Sequence, residues 1–126
     1  MNKEDGKIVY FTDLKAWREA HKLAKMIYSL TKNFPREELF GLTSQMRRSA
    51  VSVSSNIAEG FSRRSYKEKV NFYSTAQGSL TELQNQLLIS RDVGFLNEND
   101  YREVFEQSVL AHKLINGLIK SSKNHP

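Results

Sequence analysis

The residues best suited to chemistry in this 126-residue sequence are basic side chains in its first helical segment. They recur at spacings of three, four and seven residues, which places them within one arc of about 100° on a helical wheel. These residues are Lys15, Arg18, Lys22, Lys25 and Lys32. A stripe of one sign forgoes the Glu–Lys pairs that stabilise an exposed helix, so it predicts contacts with phosphate or another polyanion. A merely solvated basic face is the alternative.

Further basic residues lie within the second predicted helix and in the turn that follows it. Arg63, Arg64 and Lys67 lie around the start of the third helix, where free amides and the helix dipole favour an anion; an exposed basic turn is the alternative. Arg47 and Arg48 lie on different sides of the second helix, and the sequence leaves open whether they face a partner or stabilise an assembly. The predicted nucleic-acid-binding residues are therefore Arg18, Lys22, Lys25, Arg47, Arg48, Arg63, Arg64 and Lys67.

The distribution of charge points to the same kind of partner. The net charge is +5, yet residues 15–69 contain twelve basic and five acidic residues, while the remainder contains seven basic and nine acidic ones. A basic half beside a slightly acidic half favours an anionic partner, most commonly nucleic acid. A net charge that only keeps a small protein in solution is the alternative.

Residue patterns typical of enzymes are missing from the sequence. There are no cysteines, and the three histidines, His21, His112 and His125, form neither a zinc motif nor a di-iron motif. Phosphate-binding glycine loops and a nucleophile elbow are also missing. Glu59 is interpreted as a salt-bridge partner for an arginine rather than as a general base. We therefore expect no enzymatic activity, catalytic residue, metal or cofactor.

Apolar residues recur at helical spacing, which predicts an all-α, single-domain protein. The helices are expected at about 13–33, 42–60, 65–93 and 97–121, with tails at 1–11 and 122–126. Because the links are short, neighbouring helices should be antiparallel, giving an up-down-up-down four-helix bundle.

Local signals mark the helix ends. Thr12 or Asp13 is expected to cap the first helix, and Gly60 to end the second in a left-handed conformation. A capping box of Ser65 and Glu68 is expected to start the third helix, and Gly94 to end it.

The second helix is unusual because Arg47 and Arg48 are its only charges between residues 42 and 58. A surface helix normally carries charge on its outer face. We therefore expect another copy of the chain to cover it; an exposed serine-rich face is the alternative. A second apolar line on the fourth helix, formed by Leu110, Leu114 and Gly117, modestly favours self-association.

The segment Gly41–Ser52, followed by Ser55–Gly60, resembles the signature of the bacterial four-helix-bundle proteins, also called 23S rRNA-intervening sequence proteins. The resemblance extends over about residues 8–122. It implies a closed bundle that assembles into a homopentameric ring. Related accessory proteins of diversity-generating retroelements form basic pentamers, bind nucleic acid and associate with a reverse transcriptase. The resemblance supplies no catalytic residues.

Two functions follow as hypotheses. The first is a non-enzymatic, oligomeric protein that binds nucleic acid, RNA more readily than DNA, through phosphate contacts that tolerate any sequence. The second is a protein-interaction adaptor, for example one that binds a reverse transcriptase. Because no apolar run approaches the ~20 residues of a membrane span and residues 1–6 lack a signal sequence, we expect a cytoplasmic protein without a membrane partner.

Overall fold

The computed structural model describes residues 6–125, and all regular structure in that range is helical. Four long helices account for most of it: α1 (Lys15–Thr31), α2 (Ser44–Ser62), α3 (Tyr66–Asp92) and α4 (Glu98–Lys123). Two short 3₁₀ turns (Phe11–Asp13 and Arg36–Glu38) and a π-helical turn (Leu39–Thr43) connect or precede them.

Each helix packs against two others, because α1 contacts α2 and α4, and α3 contacts the same two. Hydrogen bonds between α2 and α3 join Ser49 to Glu82 and Ser52 to Ser79, so residue numbers rise in α2 as they fall in α3. Gln84–Ser108 and Gln77–Asn116 show the same reversal between α3 and α4. The described helices thus form a closed, antiparallel arrangement in which α2 and α4 occupy opposite corners.

Aliphatic side chains from all four helices meet at the centre of this arrangement. The fully buried large apolar residues are Leu23, Ile27, Met46, Val53, Ile57, Leu80, Leu83, Leu87, Val104 and Ile115. They come from the apolar stripes that the helical spacing predicts. Burying a side chain of this size contributes about 1.5–3 kcal/mol, so this core holds the outer faces in fixed directions.

Several helix ends are confirmed. The Ser65 Oγ accepts a 3.1 Å hydrogen bond from the backbone amide of Glu68 and so caps α3. The other half of the predicted capping box is not formed, because the Glu68 carboxylate accepts from the Ser65 hydroxyl and not from the Ser65 amide. Asn97 caps α4 by accepting a 2.8 Å bond from the amide of Asp100. Gly94 follows α3 with φ +85°, a left-handed conformation that suits glycine.

The prediction for the start of α1 is wrong. Thr12 and Asp13 lie in the 3₁₀ turn, and the α1 N-cap is Leu14, which makes no side-chain cap. The carboxylate of Asp13 instead accepts hydrogen bonds of 2.9 and 3.0 Å from the amides of Val9 and Tyr10. Asp13 therefore stabilises the segment that precedes the helix.

Gly60 does not end α2, as the sequence analysis predicted, but lies inside the helix with an ordinary negative φ. A Cβ at this position would stand 2.7 Å from Cε1 of Tyr73 and 3.0 Å from Cβ of Phe72. The glycine is required because the Tyr73 ring packs directly on the α2 backbone.

The predicted tails also need correction where the structure describes them. Phe11 belongs to a 3₁₀ turn, and α4 continues to Lys123, with Ser122 buried. The ring of His125 stacks on that of Tyr66 with 4.0 Å between centroids, and this contact holds the end of the chain on α3. Residues 1–5 and 126 of the predicted tails lie outside the described range.

Candidate nucleic-acid interface

The outer face of α1 presents the predicted cations to solvent. Arg18, Lys22 and Lys25 are all exposed, as are Lys15 at the first position of α1 and Lys32 at its C-cap. Among residues 6–125, only Arg63 and Arg91 form an ion pair with a carboxylate within 4.0 Å. The α1 basic face, defined as these five residues, therefore carries positive charge that no carboxylate within this distance neutralises.

Glu19 is the one acid within α1, and its side chain is turned away from the basic face. Its Oε1 accepts a 2.9 Å hydrogen bond from Nε2 of Gln107 on α4, and the same amide also donates to the backbone oxygen of Glu19. Gln107 is itself buried. The contact holds the carboxylate at the α1–α4 boundary, so the basic face keeps a single sign.

Arg47 and Arg48 have different environments although they are adjacent in the chain. The Arg47 guanidinium lies over the ring of Tyr28, 4.8 Å from its centroid, and its Nε donates a 2.9 Å bond to Oγ1 of Thr31. Arg48 is exposed. Arg47 therefore ties α2 to α1, whereas Arg48 is free to meet a partner.

An exposed aromatic residue stands beside Arg48. Phe40 is 92% exposed on the π-helical turn, whose backbone bends at Gly41 and is held by a 3.1 Å bond from the amide of Leu42 to Glu38. A surface cavity of about 500 Å³ is lined by Tyr28, Leu39, Phe40, Ser44, Arg47, Arg48 and Val51. Phe40 is not among the residues predicted from the sequence, although two adjacent apolar residues in a link between helices, Leu39 and Phe40, are a signal that the sequence contains.

The predicted cations of the α2–α3 turn lie at the other end of α2. Arg63 pairs with Glu59 at 3.9 Å and covers the Phe72 ring at 4.4 Å, so the expected pairing of Glu59 with an arginine is met by Arg63. Arg64 and Lys67 are exposed, and Lys67 lines a cavity of about 390 Å³ with residues from both α3 and the end of α4.

Lys69 stabilises the turn rather than facing solvent freely. Its Nζ donates a 2.6 Å hydrogen bond to the backbone oxygen of Phe61 and a longer one to that of Gly60. Partial burial lowers the pKa of the Lys69 ammonium below its usual value. Lys69 thus satisfies carbonyls at the end of α2, where a cation also complements the helix dipole.

The structure does not bring all eight predicted cations to one place. Because α1 and α2 are antiparallel, Arg47 and Arg48 lie near the end of α1, while Arg63, Arg64 and Lys67 lie near its beginning. Arg18, Lys22 and Lys25 occupy the outer face between these two ends. The eight residues form three separate groups, of which the α1 group is the most uniform in sign.

The histidines contact neighbouring side chains. His21 stacks on Trp17 at 4.6 Å, and His112 lies 3.4 Å from the Asn116 amide. Between residues 6 and 125, no group of three or more histidine, aspartate or glutamate side chains is arranged to hold a metal ion. None of the helices in this range is both long and apolar enough to cross a membrane.

The described residues form a small four-helix protein in which the basic side chains of α1 make no ion pair within 4.0 Å. The sequence matches the 23S rRNA-intervening sequence protein family over residues 12–117, and the chain belongs to that family. No curated protein matches it significantly.

A solved structure shares the fold. It is a protein of unknown function from the S23 ribosomal protein family of Bacteroides thetaiotaomicron, determined at 1.70 Å resolution. It superposes with a TM-score of 0.77 over 83% of this chain and 95% of that chain, at 23% sequence identity. This similarity extends to the fold and supports the four-helix architecture.

Proposed function

We propose that this protein is a non-enzymatic, oligomeric nucleic-acid-binding protein that contacts phosphates of RNA more readily than those of DNA. The observation that carries the proposal is the α1 basic face, which is exposed, of one sign and unpaired. Arg18, Lys22 and Lys25 make its central contacts, and Arg64 and Lys67 extend them at the α2–α3 turn. The preference for RNA is part of the proposal, and titration against matched DNA tests it.

The remaining predicted cations act differently in this proposal. Arg47 and Arg63 already cover aromatic rings, so they contribute positive potential more than direct phosphate contacts. Phosphate contacts carry no base information, so binding tolerates sequence variation and weakens as salt rises.

The subunits assemble into a homopentameric ring in this proposal, as the resemblance implies. Support comes from the outer face of α2, which has no acid before Glu59 and exposes Val51. Repeating the α1 basic face around a ring multiplies a weak contact through a high effective concentration.

The decisive experiment titrates fluorescent structured RNA, and matched DNA, with the protein at two salt concentrations. Each phosphate contact contributes about one unit to the slope of log affinity against log salt, so several contacts give a steep dependence. Absence of binding at low salt, or an affinity that salt does not change, would overturn the proposal.

A matched pair of variants locates the contact. Lys22→Gln and Arg91→Gln each remove one positive charge, but Arg91 pairs with Asp92 at 2.9 Å outside the α1 basic face. We expect Lys22→Gln to reduce both the affinity and the salt slope, and Arg91→Gln to leave both nearly unchanged.

A second candidate function is an adaptor that binds a polypeptide such as a reverse transcriptase. The specific observation in its favour is that Ile89 and Val93 are exposed near the end of α3. Copurification with a reverse transcriptase encoded nearby, lost in Ile89→Ser but not in Lys22→Gln, would support it. A gene located within a 23S rRNA gene would argue against it.

A further inference from the structure

Phe40 is the most exposed large apolar residue between residues 6 and 125, with 92% of its surface accessible. The turn that carries it is held from within, because the amide of Leu42 donates a 3.1 Å hydrogen bond to Oε1 of Glu38. The bend at Gly41 lies against the same carboxylate, since a Cβ at Gly41 would stand 3.0 Å from that oxygen. An ordered turn therefore presents to solvent an aromatic ring that contributes little to the core.

The cavity of about 500 Å³ beside this ring, the Phe40 cavity, combines aromatic and guanidinium groups. Tyr28, Arg47 and Arg48 line it, and none of the described residues in its lining is acidic. The Arg47 guanidinium lies over the Tyr28 ring, 4.8 Å from its centroid. Among residues 6–125, Arg48 forms no ion pair with a carboxylate within 4.0 Å. Ring faces beside an unpaired cation suit a ligand in which a flat group is joined to an anion.

A second cavity, of about 440 Å³, borders Phe40 as well, and Ser44 and Arg48 line both. It differs in sign because it includes the carboxylate of Glu82, which accepts a 3.0 Å hydrogen bond from Ser49. Like charges brought together at a binding surface repel. An anionic ligand therefore favours the Phe40 cavity, where the charged lining residues are arginines.

The Phe40 cavity continues the α1 basic face. Lys25 precedes Tyr28 by three residues and Lys32 follows it by four, so both lysines are neighbours of Tyr28 on the surface of α1. Both lysines are exposed, and within the described part of the chain neither pairs with a carboxylate within 4.0 Å. Phosphates bound along the α1 basic face therefore lead toward the Phe40 cavity.

We propose that the Phe40 cavity binds an unpaired nucleotide of RNA, with the base stacked on the Phe40 ring and a phosphate at Arg48. Bases within a duplex stack on one another, so a protruding ring selects nucleotides that are not paired. Stacking on an aromatic side chain tolerates any sequence, because every base has a π face. The inference rests on the proposed function and names its substrate class, which is RNA with an unpaired segment.

Binding of two RNAs tests the inference: oligouridine, which forms no duplex, and a long blunt duplex. Phe40→Leu keeps an apolar side chain but removes the ring, so we expect it to weaken oligouridine binding at least about fivefold and to leave duplex binding unchanged. Phe40→Trp keeps a stacking surface and should retain the affinity for oligouridine. Lys22→Gln, on the α1 basic face, is the control and should weaken binding of both RNAs.

Salt dependence separates the base contact from the phosphate contact. Phe40 carries no charge, so Phe40→Leu should leave the slope of log affinity against log salt unchanged. Arg48→Gln removes one phosphate contact and should reduce this slope for oligouridine by about 0.7. An abasic chain of the same length, which keeps the sugars and phosphates, should bind equally to the unaltered protein and to Phe40→Leu.

Circular dichroism and light scattering check the fold and the mass of each variant. Oligouridine binding that Phe40→Leu leaves unchanged, or duplex binding that it weakens equally, would overturn the inference alone. A lower mass of Phe40→Leu would also overturn it, because another copy of the chain would then cover the ring. If neither RNA binds the unaltered protein at low salt, the proposed function fails together with the inference.

Discussion

The side-chain amide of Gln107 holds the carboxylate of Glu19 at the boundary between α1 and α4, with 2.9 Å between Nε2 and Oε1. Glu19 is next to Arg18 in the chain and three residues from Lys22, so a freely rotating carboxylate would neutralise part of the α1 basic face. A buried amide on α4 therefore preserves the charge of a surface on α1.

Replacing Gln107 tests this relationship. Gln107→Leu removes both hydrogen bonds to Glu19, which we expect to cost about 1–3 kcal/mol in the free energy of unfolding. It also releases Glu19 toward Lys15 and Lys22, which should lower RNA affinity. Urea unfolding and RNA titration measure the two effects. Adding Glu19→Gln to this variant should restore the affinity but not the stability; an affinity that stays low would contradict the explanation.

Replacing Arg47 and Arg48 separately should show that the first side chain stabilises the fold and the second does not. Arg47→Ala removes the hydrogen bond to Thr31 and the contact with the Tyr28 ring, which together should cost about 1–2 kcal/mol of stability. Arg48→Ala changes an exposed side chain and should alter stability by less than about 0.5 kcal/mol. Thermal or urea unfolding compares the two, and equal losses would show that Arg47 does not tie α2 to α1.

Gly60 and Gly78, which both lie inside helices, should respond in opposite ways to alanine. Gly60→Ala places a Cβ 2.7 Å from the Tyr73 ring, and overpacking of this kind typically costs about 1–3 kcal/mol. Gly78→Ala meets nothing within 4 Å and should stabilise α3 by about 0.5–1 kcal/mol through helix propensity. Chemical unfolding of both variants measures the difference, and a neutral Gly60→Ala would show that the ring moves aside easily.

Alkaline pH should destabilise the protein through Tyr73. Burial, with a smaller contribution from Tyr66, raises the pKa of the Tyr73 phenol from 10.0 to about 12. The folded state therefore keeps this proton while the unfolded chain loses it, so the stabilisation is complete below pH 10 and is lost as pH rises toward 12. Urea midpoints measured across this range should fall.

Tyr73→Phe is the control for the alkaline effect, because it removes the titrating group and retains the ring. Lys69 acts in the opposite direction. Because burial lowers its pKa, the protonated ammonium reduces the free energy of unfolding at pH values below that pKa, and this destabilisation disappears as pH rises toward 10.5. A steep alkaline loss that persists in Tyr73→Phe would assign the effect to another group.

Signals confined to a few neighbouring residues predicted both ends of α3, but the cap expected for α1 at Thr12 or Asp13 was wrong. The cap at Ser65 and the left-handed Gly94 depend on backbone groups within the same turn, so the local sequence suffices. Gly60 could not be interpreted in this way, because a side chain thirteen residues away, Tyr73, determines why glycine is needed. Phe40 was missed because its exposure depends on a π-helical turn that interrupts the apolar periodicity.

The sequence by itself determined which residues form the helices, which apolar positions are buried and where positive charge accumulates. These properties follow from side-chain type and the 3.6-residue repeat of the helix. Only the tertiary structure decided which cations are free, because that depends on side chains from other helices. The α1 helix covers Arg47 and leaves Arg48 exposed, and the neighbouring α4 helix draws Glu19 away from the face of Lys22.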